Sequence, residues 1–545
     1  MTALHRLVGE DAVGQLVRRD GAMAVLGSEG GTVRLDWVDE PARLLADPAA
    51  LASVETIARR LWDRGVRRVI WSGMGGSVLT VHVLTGLGIG AGDAGRIAVY
   101  PLDSTDPAAV DALSDRLGPQ RSLRDTHLVA VSMGITSEEP ISHVDWYLGL
   151  LATEGLVPAE HVTVLTVPGS YLEAHATAHA LSTGPVHLGD RSGFPGRMSA
   201  PGTLVFLLPV ALHTAGDPPG TLHAVLDRAW RDHDLAGARS RPAEHPFVRL
   251  AAELSDASVD GCCRLLLSTP DRALLTWIEQ VLEQSLGKGG KGVAVFAAAE
   301  GPLSDGMLRV RVSATTTDEP GAIVADGLAD PDPVRRLAAL ATHFLGWQLC
   351  AAMYGYLHGI CVVDEPAVEV YKAHTRRLRE LPDPFTALDA TAWPDRVLRP
   401  GNAAADAVAT LLAATVGLSY LDVTVNGEPG PATWERLERR VRTIGDLLRV
   451  PVKLRRAPAA YHVSEQSEMD GPGPVVSIRT ACTRTAAVRH GTYADRFLPA
   501  QAVATWQAMN ERGRPCYLLF LDDHDDLDPF LGELANQLAA AKENS

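Results

Sequence analysis

The sequence is short of the features that assign a function most directly. Its six cysteines are not at metal-ligand spacing: Cys262 and Cys263 are adjacent, and Cys350, Cys361, Cys482 and Cys516 are scattered. This argues against a cysteine-built metal site and fits reduced thiols in a cytoplasmic protein. No apolar signal region follows Met1-Thr2-Ala3-Leu4-His5-Arg6. No uncharged apolar run is as long as a membrane span, and residues 204–212 fall well short. Basic charge is in deficit. A net charge of −16 argues against nucleic acid or an anionic membrane as the main partner, while an anionic small substrate would need local N–H groups and a few cations. There is no short-period repeat and no low-complexity segment. What remains is ordinary for a globular protein, with 46% hydrophobic and 21% charged residues. The length of 545 residues allows two or three domains with a large core.

The chain is organised around Trp71-Ser72-Gly73-Met74-Gly75-Gly76-Ser77. The β-branched residues before it predict a short strand and residues 78–87 a helix start. A strand, a glycine turn and a helix present free backbone N–H groups to an anion. Gly75 and Gly76 let the backbone approach closely, and Ser77 adds a hydroxyl. The plain alternative is a tight turn with nothing bound. Further strands are expected at 97–100, 127–131 and 161–165, and 103–107 reads as a cap and helix start. Strands separated by helices imply a doubly wound parallel sheet, whose ligands lie beyond the carboxyl ends of the strands. Residues 1–50 read as a lead-in, 51–200 as a first α/β unit and 201–380 as a second. A Pro-rich stretch sets a linker over 381–415. Residues 416–545 read as β-α-β-β-α-β, a ferredoxin-like α+β domain.

Four more stretches could carry chemistry. Ser132-Met133-Gly134-Ile135-Thr136-Ser137-Glu138-Glu139 sets three hydroxyls at a strand-to-helix junction. They could hold an oxyanion, or Thr136 or Ser137 could cap the helix with Glu139 as reciprocal partner. Arg197, in Gly196-Arg197-Met198-Ser199, is either a surface ion-pair partner or a fixed cation over developing negative charge. Gln284-Ser285-Leu286-Gly287-Lys288 reads by itself as a helix end whose basic residue faces the dipole. In Asp364-Glu365-Pro366, Pro366 suits a first helical turn with Asp364 as cap. That places Lys372 about two turns in, as a solvated or a site lysine.

Taken together these stretches resemble the phosphoglucose isomerase family, most closely the isomerase part of bifunctional transaldolase–phosphoglucose isomerase proteins, through five motifs in the right order: Gly73–Ser77, Asp103–Pro107, Gly196–Ser199, Gln284–Lys288 and Asp364–Lys372. The resemblance covers roughly residues 40–380, and more weakly the rest. The stretch ahead of it is too short for a transaldolase part. It implies that 51–200 and 201–380 are sugar-isomerase subdomains. It also implies an aldose–ketose isomerase of sugar phosphates that works through an enediol with no metal or organic cofactor. Ser77, Ser132, Thr136 and Ser137 would hold the phosphate, Arg197 would stabilise the enediolate, and Lys372 would assist near the ring oxygen. Family members are commonly dimers, so a homodimer is expected from resemblance alone.

The departures matter as much. The family's proton-shuttling glutamate aligns with Gln284, and an amide cannot be a general base near neutral pH. Glu283 is adjacent, but one residue turns a helical side chain by about 100°. Met133 stands where lysine is frequent, Gly134 where a hydroxyl residue is usual, and Glu365 where a glutamine is usual. The family's ring-opening histidine has no clear match at 301–312, which leaves His358 and His462 as substitutes. Three readings follow. One is a divergent isomerase using another carboxylate, such as Glu283 or Glu139. Another is the same scaffold with a different substrate or reaction. The third is a non-catalytic sugar-phosphate-binding protein.

Overall fold

The structure is a computed structural model that describes residues 2–90, 92, 96–117, 122–298, 300, 307–313, 322–324, 327–483, 488–489 and 497–543. Three parallel sheets dominate it. The first contains β1 (Arg68–Ser72), β2 (Ala98–Leu102), β3 (Thr126–Ser132), β4 (Val162–Thr166) and β5 (Ser182–Pro185), in the order β2-β1-β3-β4-β5. The central strands are buried on both faces, which explains their near-continuous apolar sequence. The strand order reverses between β1 and β3, so the loops leaving these neighbouring strands open a crevice at the carboxyl edge.

The second sheet contains β6 (Cys262–Ser268), β7 (Gly292–Ala297), β8 (Met307–Ser313) and β9 (Ala322–Val324), in the order β9-β8-β6-β7. Of the stretch where the family's histidine was sought, residues 301–306 lie outside the described ones. One hydrophobic core runs through the first two sheets and their helices. In chain order come α1 (Gly76–Gly86), α2 (Glu139–Thr153), α3 (Arg272–Leu286) and α4 (Pro333–His358), of which α1, α3 and α4 belong to this core, whereas α2 packs in a separate cluster with Ile70 and Leu128 of the first sheet. Helix α3 packs against α1 and is buried on every side, including Glu279, Gln280, Glu283 and Gln284. Polar groups in such a helix must find partners, because a buried unpaired charge is costly.

The C-terminal part departs from expectation. Helix α5 (Pro366–Arg379) is followed by β10 (Val397–Leu398), β11 (Tyr420–Asn426), α6 (Pro431–Leu448), β12 (Val452–Ala457), α7 (Glu465–Asp470), β13 (Val475–Cys482), α8 (Phe497–Glu511), β14 (Cys516–Leu521) and α9 (Leu527–Glu543). The strands form one sheet in the order β10-β14-β13-β11-β12, with every pairing parallel. The mixed α/β class with parallel sheets therefore extends to the end of the chain, in place of a ferredoxin-like unit. The physical reason lies between β12 and β13. A hairpin turn was expected there, but the chain inserts α7 and crosses over, which brings the next strand in parallel. Residues 381–415, read as a linker, carry a 3₁₀ helix (Pro384–Ala390), β10 and the helix Asn402–Ala414. A separate apolar cluster joins β6 and β7 to α5, α8 and one face of the third sheet through Phe296, Tyr371, Tyr420 and Trp506. Among the described residues no helix is long and apolar enough to cross a membrane.

Candidate functional site

Gly75, between β1 and α1, has φ +51°, which glycine adopts without strain. Its lack of a side chain is also spatially required, since a Cβ would lie 2.5 Å from Gln280 Nε2 and 3.0 Å from His462 O. At Gly76 a Cβ would lie 2.1 Å from Gly196 O. The glycine turn is thus clamped between the Gly196–Arg197 segment, α3 and a C-terminal loop. Trp71 Nε1 anchors it by donating to Ser77 O at 2.8 Å. The N–H groups of Gly75 and Gly76, at the first turn of α1, lie beyond the reach of intrahelical acceptors.

This turn and the one after β3 open into one cavity. Its walls include Gly75, Gly76, Ser77, Ser132, Ser137, Arg197, Gln284, Glu365 and Lys372, nine residues singled out from the sequence. Gln280 and His462 join them. Arg197 is almost fully buried and held in place. Its Nε donates to Ser285 Oγ at 2.7 Å, and Nη2 donates to Val362 O at 2.9 Å and Asp364 O at 3.0 Å. Its Nη1 meets Glu365 Oε2 at 2.7 Å. Gln284 Nε2 donates to the same Oε2 at 2.6 Å. Lys372 Nζ pairs with Glu369 Oε1 at 3.0 Å. Burial alone would discharge Lys372, but Glu365 and Glu369 hold its affinity for the proton above the ordinary lysine value.

Two buried acceptors are left over. Gln284 Oε1 and Gln280 Oε1 have no hydrogen-bond partner among the described residues, although both Nε2 groups are used, that of Gln280 on His462 O at 2.7 Å. Buried acceptors are normally satisfied, so these two suit the hydroxyl donors of a polyol.

His462 comes from the loop after β12. Its ring nitrogen lies 2.8 Å from Glu139 Oε1, which also accepts from Gln501 Nε2 at 2.8 Å. Burial opposes charge on Glu139, but His462 outweighs it and draws the carboxyl down to about 2. His358 lies elsewhere, with its ring nitrogen on Ser255 Oγ at 3.0 Å.

Two of the expected site residues do not line the cavity. Thr136 Oγ1 faces Glu369 at 3.4 Å. Glu283 is sealed away on another side of α3. Its carboxylate accepts from Lys453 Nζ at 2.5 and 2.7 Å and from Val295 N–H at 2.5 Å, and both charged side chains are 0% exposed. The turn of about 100° between helical neighbours is what separates Glu283 from Gln284. The capping alternatives also fail. Neither Thr136 nor Ser137 caps α2, whose cap position is Glu138 without a side-chain bond. Asp364 pairs with Lys288 at 2.8 Å instead of capping α5. Lys288 also donates to Ser285 O at 2.8 Å, as a basic residue at a helix end was expected to do. Gln280 could have been found from the sequence, because it stands four residues before Gln284 on the same helical face. Of the two histidines named as substitutes, His462 lines the cavity and His358 does not.

A roomier cavity lies at the carboxyl edge of the third sheet, about 280 Å³ against 80 Å³. Its lining includes Asp106, Glu428, Asp522 and Asp523, and no lysine or arginine among the described residues, which does not suit an anion. Among the described residues, Asp145, His175 and His179 could offer three atoms to a metal, and none of them lines either cavity.

No protein-family model and no curated protein matches the chain. Among solved structures it is similar to a hypothetical protein from Thermus thermophilus, at 23% identity and a TM-score of 0.52 over 69% of this chain and 96% of that one. A glucose-6-phosphate isomerase from Chlamydia trachomatis matches at 15% identity and a TM-score of 0.46 over 70% of this chain and 80% of that one. The first of these likenesses is one of fold.

Proposed function

We propose that the protein is an aldose–ketose isomerase acting on a sugar phosphate of the glucose 6-phosphate/fructose 6-phosphate type, by proton transfer through an enediol. The observation that carries this reading is convergence. Residues from four of the five motifs that carry the resemblance, together with the hydroxyl loop at 132–139, line one cavity at the switch point of the first sheet, whereas Asp106 and Pro107 of the remaining motif line the other cavity. In this reading the phosphate sits on Ser77, Ser132, Ser137 and the N–H groups of Gly75 and Gly76, where the α1 dipole favours an anion. Lys372 adds a cation. Gln280 and Gln284 accept from sugar hydroxyls. Arg197 lies where charge develops on the enediolate oxygens. His462, oriented by Glu139, is placed to move the ring-opening proton.

The test is a coupled assay with glucose 6-phosphate and fructose 6-phosphate, together with deuterium incorporation from heavy water at C2 of the sugar. Turnover and exchange are expected. The absence of both would end the isomerase reading. The amide at Gln284 favours a second reading, a non-catalytic sugar-phosphate-binding protein. In that case 6-phosphogluconate would raise the thermal midpoint without any exchange.

A further inference from the structure

We infer that Glu365 is the proton carrier of this site, an assignment that rests on the isomerase reading above. Moving a proton between adjacent carbons needs a basic group within hydrogen-bond reach of both. The carboxylates around the cavity can be taken in turn. Glu283 is fully buried on Lys453. Glu139 is engaged by His462 and Gln501 through Oε1 and is bonded by the Glu138 N–H at 3.2 Å through Oε2. Glu369 is occupied by Lys372 and Thr136 and does not line the cavity. Glu365 is the carboxylate that does line it.

Its placement fits the task. Glu365 occupies the cap position of α5 but makes no capping bond with its own helix. The carboxylate turns instead toward Arg197 and Gln284, and both contacts fall on Oε2, at 2.7 and 2.6 Å. Oε1 has no partner among the described residues and is free to take a proton. The side chain is 29% exposed, so a ligand in the cavity can reach it. Gln284 then acts as a positioning residue, its amide fixing the orientation of the carboxylate. Arg197 brings a cation beside the reacting carbons.

The step balances without any co-reactant. Glu365 Oε1 takes the proton from C2 of the open-chain aldose, and that C–H electron pair becomes the C1–C2 double bond as the carbonyl oxygen on C1 takes up negative charge. A proton passes from the hydroxyl on C2 to the oxygen on C1. Glu365 returns its proton to C1, and the carbonyl re-forms at C2.

The experiment compares wild type, Glu365→Gln, Glu365→Asp and the double variant Gln284→Glu/Glu365→Gln on the same sugar phosphates, reading kcat, KM and deuterium incorporation. Glu365→Gln should lose about 10²–10⁴-fold in kcat with KM within a few-fold. Glu365→Asp, still ionisable, should retain at least about tenfold more activity than Glu365→Gln. The double variant, with its carboxylate moved to α3, should recover part of the loss. If Glu365→Gln stays within about tenfold of wild type, Glu365 is not the carrier, although the isomerase reading stands. Equal losses in the Gln and Asp variants would reassign Glu365 to holding Arg197, and would likewise overturn the proposal. If wild type neither isomerises nor exchanges, the isomerase reading fails and the proposal with it.

Discussion

Replacing Glu283 separates a structural role from a catalytic one. Its carboxylate and the Lys453 ammonium are both fully buried, and the two side chains join α3 to β12 across 170 residues of sequence. Burial alone would strip the proton from Lys453, but Glu283 and its neighbours hold the proton in place. Glu283→Gln leaves that ammonium against a neutral amide, with Glu279 3.6 Å away as partial compensation. Breaking a buried pair from one side costs about 3–5 kcal/mol. The retained amide oxygen and Glu279 put the expected loss near the lower figure, about 3 kcal/mol, and the thermal midpoint should fall by roughly 2–4 °C. Removing both charges with Glu283→Leu/Lys453→Met should restore stability to within about 2 kcal/mol of wild type, because neither buried charge remains. The assay is a thermal and denaturant double-mutant cycle, with isomerase activity measured well below the lowered midpoint. Activity of Glu283→Gln is expected within about threefold of wild type, since loss of a true general base costs about 10²–10⁴-fold. A variant of unchanged midpoint that had lost isomerisation would refute the reasoning and make Glu283 the base.

Two further outcomes follow from the site. The Glu139 carboxyl is held at about 2, below the ordinary 4.5, so the unfolded chain binds more protons between those values and stability falls as pH drops through that window. The pair should contribute on the order of 3 kcal/mol above about pH 4.5. A Glu139→Gln variant should therefore start less stable at pH 6 and show a flatter decline in thermal midpoint toward pH 3, and equal slopes in the two proteins would argue against the pairing. Gly76→Ala would drive a Cβ into the Gly196 carbonyl, so it should destabilise by about 1–3 kcal/mol and remove stabilisation by sugar phosphate. Gly149→Ala, in open space on α2, serves as a control expected to be neutral or slightly stabilising in the same melt.

The sequence by itself determined whatever depends on neighbours along the chain. The β-branched run before Gly73 set a strand. Gly75 and Gly76 set a turn that only small residues fit, and Asp106 before Pro107 set a helix start that the structure caps through the Ala108 N–H. Alternating strands and helices implied the parallel sheet, and with it the carboxyl edge where ligands gather. Tertiary structure decided which polar side chains share a space. Helix α3 is buried all round, so no boundary between polar and apolar faces marks Gln284 as facing the cavity and Glu283 as facing Lys453. The partners that settle it, Glu365 and Lys453, lie 81 and 170 residues away. His462 reaches the site only because the third sheet packs there, and that sheet is parallel because the chain crosses over between β12 and β13 where a hairpin turn would have reversed it. Local periodicity specifies elements and turns, whereas the pairing of buried charges is fixed only when distant elements exclude water from between them.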